Sequence, residues 1–387
     1  MRHEVEVAVV GLGVMGAATL ATLARRGVSA LGIDRFDIPH ALGSSHGGTR
    51  IIRKAYYEDP RYVPLLHRSW DAWRALEGAV GETLLLQTGG LHFGPAHEPD
   101  LQGVLTSVDT HALSHELLSG QDLMRRFPQF RADPGDLAVI EHEAGVLFAE
   151  RCVQALIEVA QRAGAAVFAR ESLDNLDLDG PAVVLTTSRR TIICRRVVLT
   201  LGPWWPAFQA SPSVLGPAHA PIAAPLPLAV SRQVQFWVRP NDPEAYRPGR
   251  LPVFMRYGDE FVYGLPEAFY PGLKVAAHRG GAPASPDTID RTVHPEDEAV
   301  IRRFLARHMP GADGALLGAR VCMYTNSGDA NFALGLHPDA PQVVVGTGFS
   351  GHGFKLAPAV GEILADYAVD GWSPRTIDIF DVTRGAA

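Results

Sequence analysis

Six residues near the N-terminus, Gly11-Leu12-Gly13-Val14-Met15-Gly16, constrain this chain more than any others. They follow an apolar run at 5–10 and precede helix-forming residues 14–26, which stop at Gly27. Residues 28–33 read as a second strand, with Asp34 at its end. Strand, glycine turn, helix and strand in that order predict the βαβ opening of a parallel, dinucleotide-binding sheet. Gly11 permits the tight turn, Gly13 lets backbone approach a pyrophosphate, and Gly16 lets helix and strand pack closely. The helix N-terminus then faces the phosphates. Asp34 is placed to accept hydrogen bonds from a ribose diol. The motif alone leaves NAD and FAD both open.

Residues 7–24 carry no charge over 18 positions, the length of a membrane span. The three glycines inside the run argue for the turn instead. No basic leader precedes an apolar run and cleavage site, so no signal peptide is expected, and the cytoplasm is the expected location. The net charge of −7 argues against sequence-independent nucleic-acid binding, which needs a basic face. Cys152, Cys194 and Cys322 show no CxxC spacing, which excludes a disulfide framework and a cysteine-rich zinc site. The 15 histidines form no HExxH, and neither GxSxG nor a Walker loop occurs, so no metal is expected. Only three lysines occur, Lys54, Lys274 and Lys355, among 35 basic residues. In so arginine-rich a chain, a retained lysine is a candidate for work needing a compact, titratable ammonium.

With 387 residues, at ~150 per domain, the chain suggests two or three domains. Residues 61–78 and 150–163 read as helices, and 83–94, 166–168, 182–187, 191–194 and 196–202 as strands. Residues 211–228, rich in Pro and Ala, read as a linker. Short strands at 231–238, 252–257, 260–264 and 273–278 suggest a separate antiparallel sheet. The expected class is therefore α/β: a dinucleotide-binding Rossmann domain interleaved with an antiparallel-sheet substrate domain. The dinucleotide-binding parts are placed at 1–84, 145–220 and 321–387, and the substrate parts at 85–144 and 221–320.

FAD is preferred to NAD because of the far end of the chain. Residues 343–360, VVVGTGFSGHGFKLAPAV, run from a strand through Gly346, Gly348, Gly351 and Gly353 into a helix. Such glycines admit a flat ligand. The helix N-terminus would stabilise the negative charge of a reduced flavin.

Here the chain resembles the monomeric sarcosine oxidase and N-methyltryptophan oxidase family of flavoenzymes. The matching stretches are GLGVMG with Asp34, GSSHGGTRIIRKAY (43–56), GVLFAERC (145–152), GLKVAAH (272–278), VCMYTNSGD (321–329) and VVVGTGFSGHGFKLAPAVGEILADY (343–367). They occur in order along nearly the whole chain. The resemblance implies a glutathione-reductase-type FAD domain beside a sheet-based substrate domain. It implies that Cys322 carries the flavin through a thioether. Read from sequence alone, Cys322 between Val321 and Met323 is a buried small hydrophobe; the same core reading holds for Cys152 and Cys194.

Lys274 and His278 share one face of a strand, with Ala276 between them. The resemblance implies that Lys274 promotes the reaction with oxygen and that His278 lines the substrate pocket. Arg53 and Lys355 would hold a substrate carboxylate, Arg53 through its planar fork. In RIIRK, Arg50 and Arg53 would share a face if the segment were helical. Ser44, His46, Thr49, Arg50 and Met323 are expected near the flavin, together with Gly348 and Gly351. Tyr263 and Tyr324 are candidate pocket walls. The sequence departs from the family at AAHRGG, which has small residues where relatives carry aromatics, and this predicts a roomier pocket.

The activity implied is oxidation of secondary amines, most of all N-methyl amino acids. A hydride equivalent passes from the amine C–H to flavin N5, O2 is reduced to hydrogen peroxide, and the imine is hydrolysed. The expected partners are an amino-acid-like substrate with a carboxylate and O2. No nucleic acid and no membrane are expected, and the chain is expected to act as a monomer. A cyclic imino acid, a glycated amino acid or a biosynthetic amine on the same scaffold is the alternative. A flavin dehydrogenase with a protein acceptor, an NAD-dependent dehydrogenase and a non-enzymatic FAD-binding protein are the more distant readings.

Overall fold

The computed structural model of the protein describes residues 1–209 and 226–384. The linker expected at 211–228 therefore lies almost wholly outside the described residues.

Two eight-stranded sheets organise the molecule. In the first, Arg2–Val10 pairs in parallel with Ala30–Ile33 on one side and Thr191–Leu199 on the other. Ala340–Thr347 extends the parallel run beyond Leu199, and Ala166–Phe168 extends it beyond Ile33. The central strands become continuously apolar and buried toward their C-terminal ends, at Val7–Val10, Ala30–Ile33 and Val197–Leu199, where both sheet faces are covered. The helices Val14–Arg25, Ala149–Arg162 and Ala357–Asp370 pack together over one face. Gly361 makes that possible, since a Cβ there would lie 2.7 Å from the Ala18 carbonyl carbon.

The second sheet is antiparallel but for one parallel pair, Val253–Arg256 beside Gly90–Pro95. Its centre is built from Leu316–Ser327, Leu228–Val238, Leu273–Ala277 and Val262–Leu265. Side chains alternate between faces along each strand. Phe236, Phe254 and Val275 take the face that packs on Ile301, Phe304 and Leu305 of the helix Pro295–His308. The register sets Gln233 opposite Cys322, Ser231 opposite Tyr324, Ala276 opposite Gln235 and Tyr263 opposite Ala276. The face turned from that helix therefore carries the chemistry. A small sheet of Thr49–Ile52, Gly145–Phe148 and Leu85–Gln87 completes the set.

Three expectations change. The segment around Arg50 is a strand, Thr49–Ile52, so Arg50 and Arg53 share no helical face. The two strands expected at 191–202 are one, Thr191–Leu199, since nothing in TIICRRVVL breaks the ladder. The boundary placed at 320/321 falls inside Leu316–Ser327, and this strand, with Cys322, belongs to the antiparallel sheet. Cys152 and Cys194 sit buried in apolar clusters. No helix among the described residues is long and apolar enough to cross a membrane.

Candidate active site

The glycine turn opens on a cavity of about 470 Å³ that extends from Asp34 past Gly11, Gly13 and Ser44 to Gly351, Met323 and Tyr324. Gly11 has φ +87°, and a Cβ on Gly16 would stand 1.9 Å from the Gly11 carbonyl oxygen, so neither position admits a side chain. Asp34 accepts hydrogen bonds from the Leu12 and Phe36 N–H groups at 2.7 and 2.8 Å. Burial raises its pKa, and those two bonds oppose the rise. Gly351, with φ +79°, lies flat against the ring of Tyr324. Gly348, with φ +69°, sits in the same segment but does not itself line the cavity.

A second, smaller cavity of about 70 Å³ adjoins the first at Arg50, Tyr324, Gly351 and Phe354. Thr49, Arg53, Tyr263, His278 and Lys355 line it, so the substrate-side residues expected from the sequence converge there. Lys274 stands one layer out. Its Nζ is wholly buried and donates to the carbonyls of Gly47 and Thr49, both at 2.8 Å. Burial, then the nearby Arg50, pushes its pKa well below the ordinary lysine value. Ser44 donates to the Met323 carbonyl at 2.8 Å. Cys322 Sγ lies 3.8 Å from Arg50 Nη2 and 3.9 Å from the Ser44 carbonyl oxygen. His46 is buried with Nε2 unpartnered, and burial, reinforced by Arg50 and Lys274, lowers its pKa to about 3.

Arg53 is not free. Its Nη2 donates to both oxygens of Glu58, at 2.7 and 2.8 Å, and its guanidinium stands over the Tyr56 ring. Burial works against the Glu58 carboxylate, but Arg53, His352 and Lys355 hold its pKa near 2. Burial, then Arg53, brings Lys355 down to about 7, and its Nζ donates to the His352 carbonyl at 2.7 Å. His278 bridges Tyr57 at 3.0 Å and Tyr324 at 3.5 Å, and burial lowers its pKa to about 3. Among the described residues, no carboxylate is ion-paired with Arg50, Lys274 or Lys355. The inner cavity thus presents two basic side chains without carboxylate partners, Arg50 and Lys355, beside a long dinucleotide-sized cavity.

The FAD dependent oxidoreductase family model, DAO, matches residues 6–367. This chain belongs to that family. Monomeric sarcosine oxidase of Streptomyces avermitilis is 36% identical, the match covering 100% of this chain and 99% of the relative. Human peroxisomal sarcosine oxidase is 33% identical over 93% of this chain and 91% of its own. Among solved structures, L-proline dehydrogenase from P. horikoshii superposes with a TM-score of 0.85 at 21% identity, covering 99% of this chain and 98% of that one.

The residues present fit the cofactor of an FAD dependent oxidoreductase. The turn at Gly11–Gly16 excludes side chains from the phosphate approach, Asp34 is free to exchange backbone donors for a ribose, and the cavity continues to the second glycine segment. Sequence reasoning missed four residues of this flavoprotein's inner site: Tyr57, Glu58, Gln235 and His352. Glu58 had a faint signal, as the first acid after the cationic run RIIRK. Gln235 and His352 had none, because only the sheet register and the fold of the glycine segment bring them in.

Proposed function

We propose that this FAD-dependent oxidoreductase is an oxidase of secondary amino acids of the N-methyl type, with O2 as acceptor. One secondary amine, R–CH2–NH–R′, is consumed with one O2 and one water. The products are the aldehyde R–CHO, the primary amine R′–NH2 and one hydrogen peroxide, where R′ carries the carboxylate. The observation that carries this reading is the pair of basic side chains without carboxylate partners that line the inner cavity, Arg50 and Lys355, with the buried Lys274 one layer behind them. An anionic substrate supplies the missing partner.

FAD, when bound, supplies the two-electron acceptor. The chain supplies position and charge. Lys355 gains its proton when a carboxylate binds beside it, and Arg53 is the second ligand for that carboxylate, through N–H groups that its pair with Glu58 leaves free. His278, neutral at pH 7, receives the amine without charge repulsion, and Tyr263 and Tyr324 wall the site. Lys274 has a lowered pKa because of burial, so it takes up a proton most readily when negative charge develops nearby, as on dioxygen. Cys322, beside the Arg50 guanidinium, is the attachment point we assign to the cofactor. Ser44, His46, Thr49, Met323, Gly348 and Gly351 complete its surroundings.

We also assign 1–84, 145–209 and 328–384 to the cofactor domain and the other described residues to the substrate domain. The monomeric relative supports a single chain as the working unit. The test is a peroxide assay of the purified protein with sarcosine, larger N-methyl amino acids and L-proline. Turnover of the first two with equal release of peroxide and aldehyde is expected. Flavin reduction with no peroxide in air would replace the oxidase by a dehydrogenase.

A further inference from the structure

A third cavity, of about 460 Å³, opens beyond the inner one and shares Tyr57, Glu58, His278, Tyr324 and His352 with it. Its size lies in the range of small-molecule sites, roughly 300–1,000 Å³. The bonds Tyr57–His278 and His278–Tyr324 form the boundary between the two. Gly280 and Gly281 of AAHRGG form part of its wall, and Gly281 lies so close to the sheet that a Cβ would stand 2.3 Å from the Arg232 carbonyl oxygen.

The charges of this chamber are all compensated within the chain. Glu58 pairs with Arg53, Asp100 with Arg279 at 2.8 Å, and Asp329 with Arg384 at 2.8 Å. Burial keeps His278 and His352 neutral at pH 7, with pKa values of about 3 and 4. What remains open is uncharged. Ser231 and Gln233 share one sheet face with Asn326 on the neighbouring strand. Ser231 Oγ accepts from Asn326 at 3.0 Å and from Gln233 at 3.2 Å, which leaves its own O–H to donate. The side-chain carbonyl oxygens of Gln233 and Asn326 accept no hydrogen bond from the described residues, and each side-chain amide keeps one N–H beyond its bond to Ser231. Three donors and two acceptors along one face match vicinal hydroxyls, each of which both donates and accepts.

We infer that the chamber binds an uncharged, hydroxyl-rich substituent on the substrate nitrogen, so that the preferred substrate is an N-polyhydroxyalkyl amino acid rather than sarcosine. The amino-acid head occupies the inner cavity, and the chain of hydroxyls passes His278 to Ser231, Gln233 and Asn326. This rests on the amine-oxidase reading above.

The test uses the holoenzyme and two readouts. Calorimetry measures binding of three thioether analogues, with sulfur in place of the amine nitrogen so that no imine can form. They are (alkylthio)acetates whose six-carbon chain is pentahydroxylated, plain, or tipped with an ammonium. The polyol analogue is expected to bind at least about 25-fold more tightly than the plain one. Gln233→Leu/Asn326→Leu should remove about 25-fold of that margin, at roughly fivefold per neutral hydrogen bond. Peroxide assays with N-(pentahydroxyhexyl)glycine, N-hexylglycine and sarcosine should show the same order in kcat/KM. Equal or tighter binding of the plain or ammonium analogue overturns the inference. Sarcosine turnover without binding or turnover of the polyol compounds overturns it while leaving the oxidase intact. Failure of every amine to give peroxide overturns both.

Discussion

Replacing Lys355 by Met separates the stability cost of this site from its use. Lys355 is 6% exposed and has no carboxylate partner, and burial takes its pKa from 10.5 to about 7. At ~1.4 kcal/mol per pH unit, that fall is worth about 5 kcal/mol in favour of the neutral amine. The sign follows from proton counting. Between pH 7 and 10.5 the unfolded chain binds more protons at this lysine than the folded one, so wild-type stability rises with pH across that window. The cost of the lysine to folding is about 4 kcal/mol at pH 7 and about 2 kcal/mol at pH 9. Met has the same straight-chain shape and leaves no large cavity. It does orphan the His352 carbonyl, which costs about 1 kcal/mol. K355M is therefore expected to be about 3 kcal/mol more stable than wild type at pH 7 and about 1 kcal/mol more stable at pH 9. Thermal melts of the two holoenzymes at both pH values should show the variant higher, with the gap narrowing by several degrees. Its affinity for a carboxylate ligand should fall about a hundredfold, on the order of 3 kcal/mol. A variant less stable than wild type at both pH values, or a gap that widens with pH, would refute the reading of Lys355 as a buried, unpaired cation.

Cys322→Ser should still bind FAD, but acid precipitation should release the flavin into the supernatant, whereas wild-type flavin should remain with the pellet; retention in the variant pellet would move the attachment elsewhere. Lys274→Met should leave anaerobic flavin reduction by substrate within a few-fold of wild type and slow peroxide formation in air at least a hundredfold, about 3 kcal/mol of barrier; equal losses in both half-reactions would make the lysine merely structural. Arg53→Met should destabilise the fold by about 3–5 kcal/mol because it strands the buried Glu58 carboxylate. Adding Glu58→Met should restore most of that stability but not carboxylate affinity, and recovery of both would remove Arg53 from the substrate site.

The parts of this site legible in the sequence are those whose chemistry needs a particular residue at a fixed short spacing. Gly11 and Gly16 are readable because no side chain fits where a turn and a helix meet, and the structure puts backbone oxygens at 2.5 and 1.9 Å from their missing Cβ atoms. Lys274 and Ala276 share a face as the two-residue repeat of a strand dictates, but the strand ends at Ala277, one residue before His278. The illegible parts arise from long-range pairing. Nearness in sequence to the glycine segment assigns Cys322 to the cofactor domain, yet hydrogen-bonding register binds it to Gln233, 89 positions earlier in the chain. Glu58 lies within five residues of Arg53, but no local pattern says that a buried guanidinium will turn to it instead of remaining open for a ligand. The outer chamber shows the same limit in its sharpest form. Its glycines at 280 and 281 predict space, but not its character. That character depends on whether Asp100 and Asp329 are already neutralised, and their partners Arg279 and Arg384 stand 179 and 55 residues away. Charge compensation over such separations decides what a pocket of given residues will bind, and it exists only once the chain has folded.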